Sequence, residues 1–463
     1  MKILLISKDT EQYTDWFPLG IAYISAVLLK EGHDVQIYHQ NVNHYPDEYL
    51  TEYLNNNIFD VVGVGAVAGY YQYRKLLKIS NAINSSKNRP YYIIGGQCPT
   101  PEPEYFLKKT KADVVVLGEA EVTIVELLDA IASCNSLSNI KGIAFLDGDK
   151  VIINEERSLI EDIDSIPFPA YHLFPINYYR LIRPIPNARK TDFVFPVISG
   201  RGCTFKCTFC YRMDKGFRPR CNESIIDEIK YLKSNFGITY IFFADELLMA
   251  SPERTASLCE NFIEQKLDIH WCCNGRLNYA KPKVLKLMKR AGCVFINYGI
   301  ESMDDNVLRN MNKALTYDQI IKGVEATVAE NISPGLNILF GNIGDNKETL
   351  KSAVNFLLKY DDGSQLRTIK PVTPYPGSPL YHAAIEKGFL TGCENFYENK
   401  HVNSDLLTVN FTELSDTEFH MSLYEANSIL FKNYYNRQLS NVLDSAKKLY
   451  LGNDANFRGF RQR

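Results

Sequence analysis

The sequence predicts an α/β fold: an N-terminal doubly wound parallel sheet (Rossmann-like), then a partial (β/α)6 barrel, then a small helical C-terminal region. Three observations carry this expectation. Short β-branched runs alternate with amphipathic stretches over residues 1–140, prolines gather just afterwards, and the alternation resumes six times from residue 193. Regular strand–helix alternation produces parallel strands joined by right-handed crossovers.

In the first region, residues 2–7, 34–38, 61–67, 91–96 and 113–118 are apolar runs bounded by Gly, Pro, Asn or Asp, whereas 20–31 and 71–84 follow the helical period. Five strands result. Ligands of such sheets sit beyond the carboxyl ends of the strands. There the chain reads Ser7-Lys8-Asp9-Thr10, Gly63-Val64-Gly65-Ala66, Gly95-Gly96-Gln97 and Gly118-Glu119-Ala120-Glu121. Turns containing glycine let a ligand approach the backbone, so Gly63, Gly65, Gly95, Gly96, Gly118 and Glu119 are candidate cofactor contacts, with Tyr70 and Tyr71 as covers. Residues 141–157 read as a hairpin turning at Asp147-Gly148. Pro167, Pro169, Pro175, Pro184 and Pro186 mark an extended linker. The expected units are 1–140, the hairpin and linker 141–190, the barrel 191–390 and the helical region 391–463.

Candidate barrel strands are 193–199, 240–244, 269–273, 294–299, 335–340 and 366–371, and candidate helices 224–235, 252–266, 283–291, 316–330 and 347–359 lie between them. Chemistry in this architecture belongs at the carboxyl ends of the strands. The segment after residue 402 carries a Tyr-rich helical pattern and ends with Arg458, Arg461 and Arg463, which reads as a packing helix and a frayed tail.

Composition narrows the function. Lys and Arg number 51 against 54 Asp and Glu, a net charge of −3, so no basic surface is expected for duplex nucleic acid. No stretch of 18 apolar residues occurs and the first residues run straight into a strand, which predicts a soluble, cytoplasmic protein without a membrane span. Eleven cysteines in a reducing compartment point to metal or redox chemistry where they cluster. Most are scattered, and Cys272-Cys273 lie in an apolar run that suits small buried residues.

The cluster is Cys203, Cys207 and Cys210, directly after the first barrel strand. Three thiolates on a [4Fe–4S] cluster leave one iron open to a substrate or cofactor. A closed zinc site wants a second ligand pair, but Cys221 stands alone and no His-x₃₋₅-His accompanies it. A four-cysteine electron-transfer cluster would have to recruit Cys221.

This C-x₃-C-x₂-C loop, with Phe209 before its last cysteine, resembles that of the radical S-adenosylmethionine (SAM) enzymes. Further along, Ala244-Asp245-Glu246, Asn297-Tyr298-Gly299-Ile300-Glu301-Ser302, Leu339-Phe340-Gly341-Asn342-Ile343-Gly344-Asp345 and Thr373-Pro374-Tyr375-Pro376-Gly377-Ser378-Pro379-Leu380 resemble the superfamily's strand-end motifs. The resemblance implies that the three cysteines ligate iron, that Asp245 and Glu246 meet the SAM amino group, that Glu301 and Ser302 meet its ribose, and that Gly341 lies at the adenine. Arg276 is expected at the SAM carboxylate or a loop acid. With the N-terminal sheet and Phe17-Pro18-Leu19-Gly20-Ile21-Ala22-Tyr23, residues 1–390 resemble the class that carries a cobalamin (B12)-binding domain. The Asp-x-His-x-x-Gly motif is absent from residues 1–140, and His33, His39 and His44 fall in other frames, so the lower face of cobalt has no assigned ligand.

The resemblance implies a [4Fe–4S] cluster, SAM and cobalamin as cofactors, a flavodoxin- or ferredoxin-type electron donor, and methylation of an unactivated carbon on a small molecule or peptide. Cyclisation, ring contraction or another rearrangement is the second reading. A non-catalytic iron–sulfur electron-transfer or sensing module is the rival of another class. Near-neutral charge selects no substrate among peptides, sugars, lipids and tetrapyrroles, and with Cys393 alone in the C-terminal region no auxiliary cluster is expected.

Overall fold

The computed structural model describes residues 1–9, 11, 16–180, 185, 187–189, 191–213, 215–457 and 459–460. Thr10, Pro184, Pro186 and the tail arginines Arg458, Arg461 and Arg463 lie outside the described residues.

Strands β1 (Lys2–Ser7), β2 (Asp34–His39), β3 (Val61–Gly65), β4 (Tyr91–Gly95) and β5 (Val114–Val116) are parallel, and the hairpin β6 (Ile143–Asp147) and β7 (Lys150–Ile153) completes one sheet in the order β2-β1-β3-β4-β5-β6-β7. The expected hairpin thus extends the sheet, pairing antiparallel with β5 through Val115↔Ala144. Both faces are buried, as crossover helices on each side require. Leu4, Ile6, Val62 and Val64 pack into one core, while Ile3, Leu5, Val61 and Ile93 pack into the other. The order reverses between β1 and β3, the point at which doubly wound sheets bind cofactors. Lys8 bridges that point, its Nζ donating to the Gly65 carbonyl at 2.6 Å.

Strand β8 (Val194–Val197) opens a second sheet. An antiparallel ribbon of β9 (Gly200–Arg201) and β10 (Arg218–Pro219) follows, bracketing residues 202–217. The second sheet resumes with β11 (Tyr240–Phe243), β12 (His270–Gly275), β13 (Cys293–Glu301), β14 (Ser333–Phe340) and β15 (Lys370–Pro371), all parallel in the order β15-β14-β13-β12-β11-β8. Among the described residues β8 and β15 do not pair, so the barrel is open. The sixth expected strand, 366–371, contracts to two residues. Buried Arg367 accounts for this: it donates to Asp361 Oδ1 at 3.0 Å and to the Pro334 carbonyl at 2.7 Å, tying its segment down through a side chain.

After the barrel the chain folds back on the first sheet, where Tyr397 stacks on Tyr73 with ring centroids 4.4 Å apart. The helix Asp416–Gly452 begins with a Ser415/Glu418 capping box and ends at left-handed Asn453. Phe419 stacks on Phe340 at 4.8 Å, and the distal half exposes Tyr435, Leu439 and Leu443. Among the described residues no helix is long and apolar enough to cross a membrane.

Candidate functional site

Residues 202–217 leave the end of β9 as a loop whose conformation is set by its neighbours. A Cβ on Gly200 would stand 2.7 Å from the Phe217 ring, so glycine is required where the two arms of the ribbon meet. The loop is laced across the open barrel. Thr208 N donates to the Met311 carbonyl at 2.9 Å, Asn312 Nδ2 to the Lys206 carbonyl at 2.9 Å, and Leu380 N to the Thr208 carbonyl at 2.8 Å. Cys207 is buried and Cys210 reaches the surface. Burial is the largest cause of a raised thiol pKa at Cys203 and Cys210, and the charge of Cys207 raises both further. Cys203 and Cys210 are therefore costly to hold as bare thiolates, a cost that a shared cationic iron cluster would offset, and among the described residues no trio of such side chains is already gathered to hold a single metal ion.

Two cations flank the loop. The Arg276 guanidinium lies 3.4 Å from the Phe205 ring centroid, and Lys313 Nζ lies 5.5 Å from that of Phe209. Arg276 is engaged with backbone. Its Nη2 donates to the Lys313 and Ala314 carbonyls, so much of its donor capacity fixes the 311–314 loop. Lys313 Nζ in turn donates to Glu301 Oε1 at 2.9 Å. Lys313 carries no motif, and sequence reasoning missed it.

The acidic pair at the end of β11 divides. Glu246 is exposed and close enough to Cys203 to raise its pKa, which leaves it at the mouth of the loop. Asp245 turns inward. It is 2% exposed, and its carboxylate accepts from Ser199 N at 3.0 Å and Ser199 Oγ at 2.8 Å. Its carboxylate therefore orders the turn from β8 into β9, and burial raises its pKa. Ser302 is buried, with its Oγ accepting from Asp304 N at 3.2 Å. Gly341 has φ of +98°, and a Cβ there would lie 2.9 Å from Phe419, so the long helix packs directly on that turn. Its N–H, with that of Asn342, donates to Asp345 Oδ2.

In the first sheet the glycine turns serve two purposes. A Cβ at Gly63 would meet Leu5 at 2.7 Å, and one at Gly96 would meet the Ala66 carbonyl at 2.7 Å, so packing explains these two. A Cβ at Gly95 would meet the Val116 carbonyl oxygen at 3.4 Å. Gly65 and Gly118, by contrast, have no atom within 4 Å of a built Cβ and border open space, which suits a cofactor edge. Glu119 is held within the protein. Both its oxygens are taken up by protein: Arg201 Nη1 at 2.7 Å on one, Arg218 Nη1 and Ile160 N at 2.8 Å on the other.

The sequence matches the Radical SAM superfamily over residues 197–357 and the B12 binding domain over residues 10–128. It is 30% identical over 403 residues to the uncharacterized methyltransferase PH0819 of Pyrococcus horikoshii, covering 84% of each chain. It is 27% identical to the anaerobic magnesium-protoporphyrin IX monomethyl ester cyclase of Cereibacter sphaeroides, covering 79% of this chain and 60% of that one. The fold matches that of the radical SAM methyltransferase TsrM from Kitasatospora setae, with a TM-score of 0.69 at 17% identity over 84% of this chain and 78% of the other. Matched by both domain families in this order, and related along most of its length to PH0819, the chain belongs to the cobalamin-binding radical SAM enzymes.

Proposed function

We propose that this enzyme methylates an unactivated carbon. The observation that carries the reading is the lacing of the three-cysteine loop between the barrel's strand ends and the Glu119 turn of the first sheet, which brings the two cofactor regions together. Cys203, Cys207 and Cys210 are the cluster ligands, and residues 1–140 and 191–390 are the cobalamin-binding and barrel units. When bound, the cluster and SAM supply a hydrogen-abstracting 5′-deoxyadenosyl radical, and cobalamin supplies the methyl group.

The chain's own residues bind and orient. Glu246, exposed at the loop mouth, receives the SAM amine. Glu301, held by Lys313, presents its free oxygen to the ribose. Phe209 and Phe205 wall the loop against water while Lys313 and Arg276 sit over their rings. Gly65 and Gly118 admit the corrin edge. The reductant is a low-potential flavodoxin- or ferredoxin-type protein, the compartment is the cytoplasm, and the substrate is a small molecule or peptide. Rearrangement without methyl transfer is the second reading, favoured by the likeness to a cyclase.

The test is anaerobic reconstitution with iron, sulfide and hydroxocobalamin, followed by SAM and a reductant. Methylation predicts cobalamin-dependent S-adenosylhomocysteine beside 5′-deoxyadenosine. 5′-Deoxyadenosine alone would select rearrangement, and release of neither product would leave only an iron–sulfur module. Cys207→Ala is expected to abolish cluster absorbance and SAM cleavage; a cleaving variant overturns the ligand assignment.

A further inference from the structure

Every loop cysteine lies between β9 and β10, so the ribbon controls both ends of residues 202–217. Arg201 and Arg218 are direct cross-strand partners in that ribbon. Both guanidiniums close on the turn after β5 in the other domain. Arg201 Nη1 donates to Glu119 Oε1 at 2.7 Å, Arg201 Nη2 to Glu121 Oε1 at 2.5 Å, and Arg218 Nη1 to Glu119 Oε2 at 2.8 Å. The Arg201 guanidinium also lies 5.6 Å from the Tyr23 ring of the first domain. The four side chains are between 5% and 14% exposed. Two carboxylates thus meet two guanidiniums across the boundary.

A buried ion-pair cluster contributes little net stability compared with apolar packing of the same volume, so stability alone is a weak reason for one here. What it specifies is geometry, because a planar guanidinium fork fixes direction as well as distance. A single tether would let the loop pivot about one strand. A grip on both strands removes that freedom. The same turn begins with Gly118, which borders the open space of the first sheet's strand ends.

We infer that Glu119, Glu121, Arg201 and Arg218 form a positioning clip that fixes the cysteine loop against the cobalamin-binding domain and so sets the separation and orientation of the two cofactors. The inference rests on the functional reading above and goes beyond it. These are positioning residues, since they act by holding the ribbon on both sides of the cysteine loop.

Two measurements test it. In holoenzyme holding cob(II)alamin and the one-electron-reduced cluster, each group carries an unpaired spin, and their magnetic coupling in EPR reads their separation. Hydrogen exchange of residues 202–217 in the cofactor-free chain reads the loop directly. Glu119→Gln keeps the shape and removes the charge; Arg201→Lys keeps the charge but cannot span both carboxylates. Both are expected to broaden the coupling and to speed loop exchange by about tenfold, with cluster and cobalamin contents near wild type. If Glu119→Gln does not fold, Glu121→Gln, which removes one contact of the three, is expected to shift both readouts less in the same direction. Wild-type coupling in variants loaded with both cofactors, together with wild-type exchange in the same variants free of cofactor, overturns the clip. A wild-type chain that takes up iron and sulfide but no cobalamin overturns it through the functional reading, and this is a separate failure because the first requires both cofactors present.

Discussion

Glu301 closes β13 in the left-handed backbone region, at φ of 72°, with its carboxylate held 2.9 Å from the buried amine of Lys313. A non-glycine residue in that conformation costs about 1 kcal/mol or more and persists where its surroundings over-determine it. Here the surroundings are specific. A Cβ at Gly299 would come within 2.5 Å of the same Glu301 oxygen, so glycine two positions earlier clears the space into which the carboxylate turns. Phe209, Lys313 and Glu301 thus form a continuous path from the cysteine loop to the strand end proposed for the ribose.

Lys313→Met is expected to destabilise the chain by about 3–5 kcal/mol, because it leaves Glu301 as a buried charge without its partner. Adding Glu301→Gln removes that charge, so the double variant should recover much of the loss. Urea unfolding of the two single variants and the double variant forms the cycle. A Lys313→Met cost below about 1 kcal/mol would place the pair among surface ion pairs.

Iron uptake is expected to depend steeply on pH. Cys203 and Cys210 have raised thiol pKa values, chiefly through burial, so at neutral pH the cofactor-free loop holds protons that iron must displace. Because the folded state holds these protons more tightly than the unfolded one, the contribution to the stability of the cofactor-free chain is full below the ordinary thiol pKa and is lost as pH rises toward the raised values. Reconstitution therefore becomes more favourable from pH 7 to 9, whereas the empty chain loses this contribution only above about pH 9, between the ordinary and the raised thiol values. Iron content against pH, beside thermal melts of the empty chain, checks both directions.

Gly377→Ala is expected to displace the loop beside Cys210. Gly377 has φ of +85°, and a Cβ there would stand 2.6 Å from both Pro101 and Tyr211, the residue that follows Cys210. Strain and clash together exceed the roughly 1 kcal/mol of an ordinary incompatible Gly→Ala change. Melting temperature and the retention of iron after desalting are the readouts, and both should fall.

Much of the architecture is legible because strands buried on both faces are written as continuous β-branched runs: 61–67 and 113–118 enclose β3 and β5. The clip is not, because β9 and β10 are two residues each and carry no period. Glu119 reads as a cofactor contact since it follows glycine at a strand end, yet Arg218, which claims it, is 99 positions away. The Asp245 contact is hidden for the same reason: its partner Ser199 lies 46 positions earlier, and a motif shows which acid is present without showing which way it turns. The cysteines are the opposite case. Their chemistry is local, so spacing alone places the thiols in one loop.

Asp345 supplies a pH dependence of its own. Burial pushes its carboxyl up to about 6, against hydrogen bonds from Thr349 Oγ1 and the Asn342 and Gly341 backbone N–H groups that favour the charged form. The folded state therefore binds this proton more tightly than the unfolded chain, where an aspartate titrates near 4. Its contribution to stability is full below about pH 4 and is lost as pH rises through about 6. Asp345→Asn keeps the acceptor for the two backbone groups and removes the titration. Relative to wild type, the variant should gain stability between pH 4 and 6 and hold a constant difference above that range. Urea unfolding of both chains at half-unit pH steps measures the difference; a difference independent of pH would mean that Asp345 titrates at its ordinary value and that its burial carries no desolvation cost.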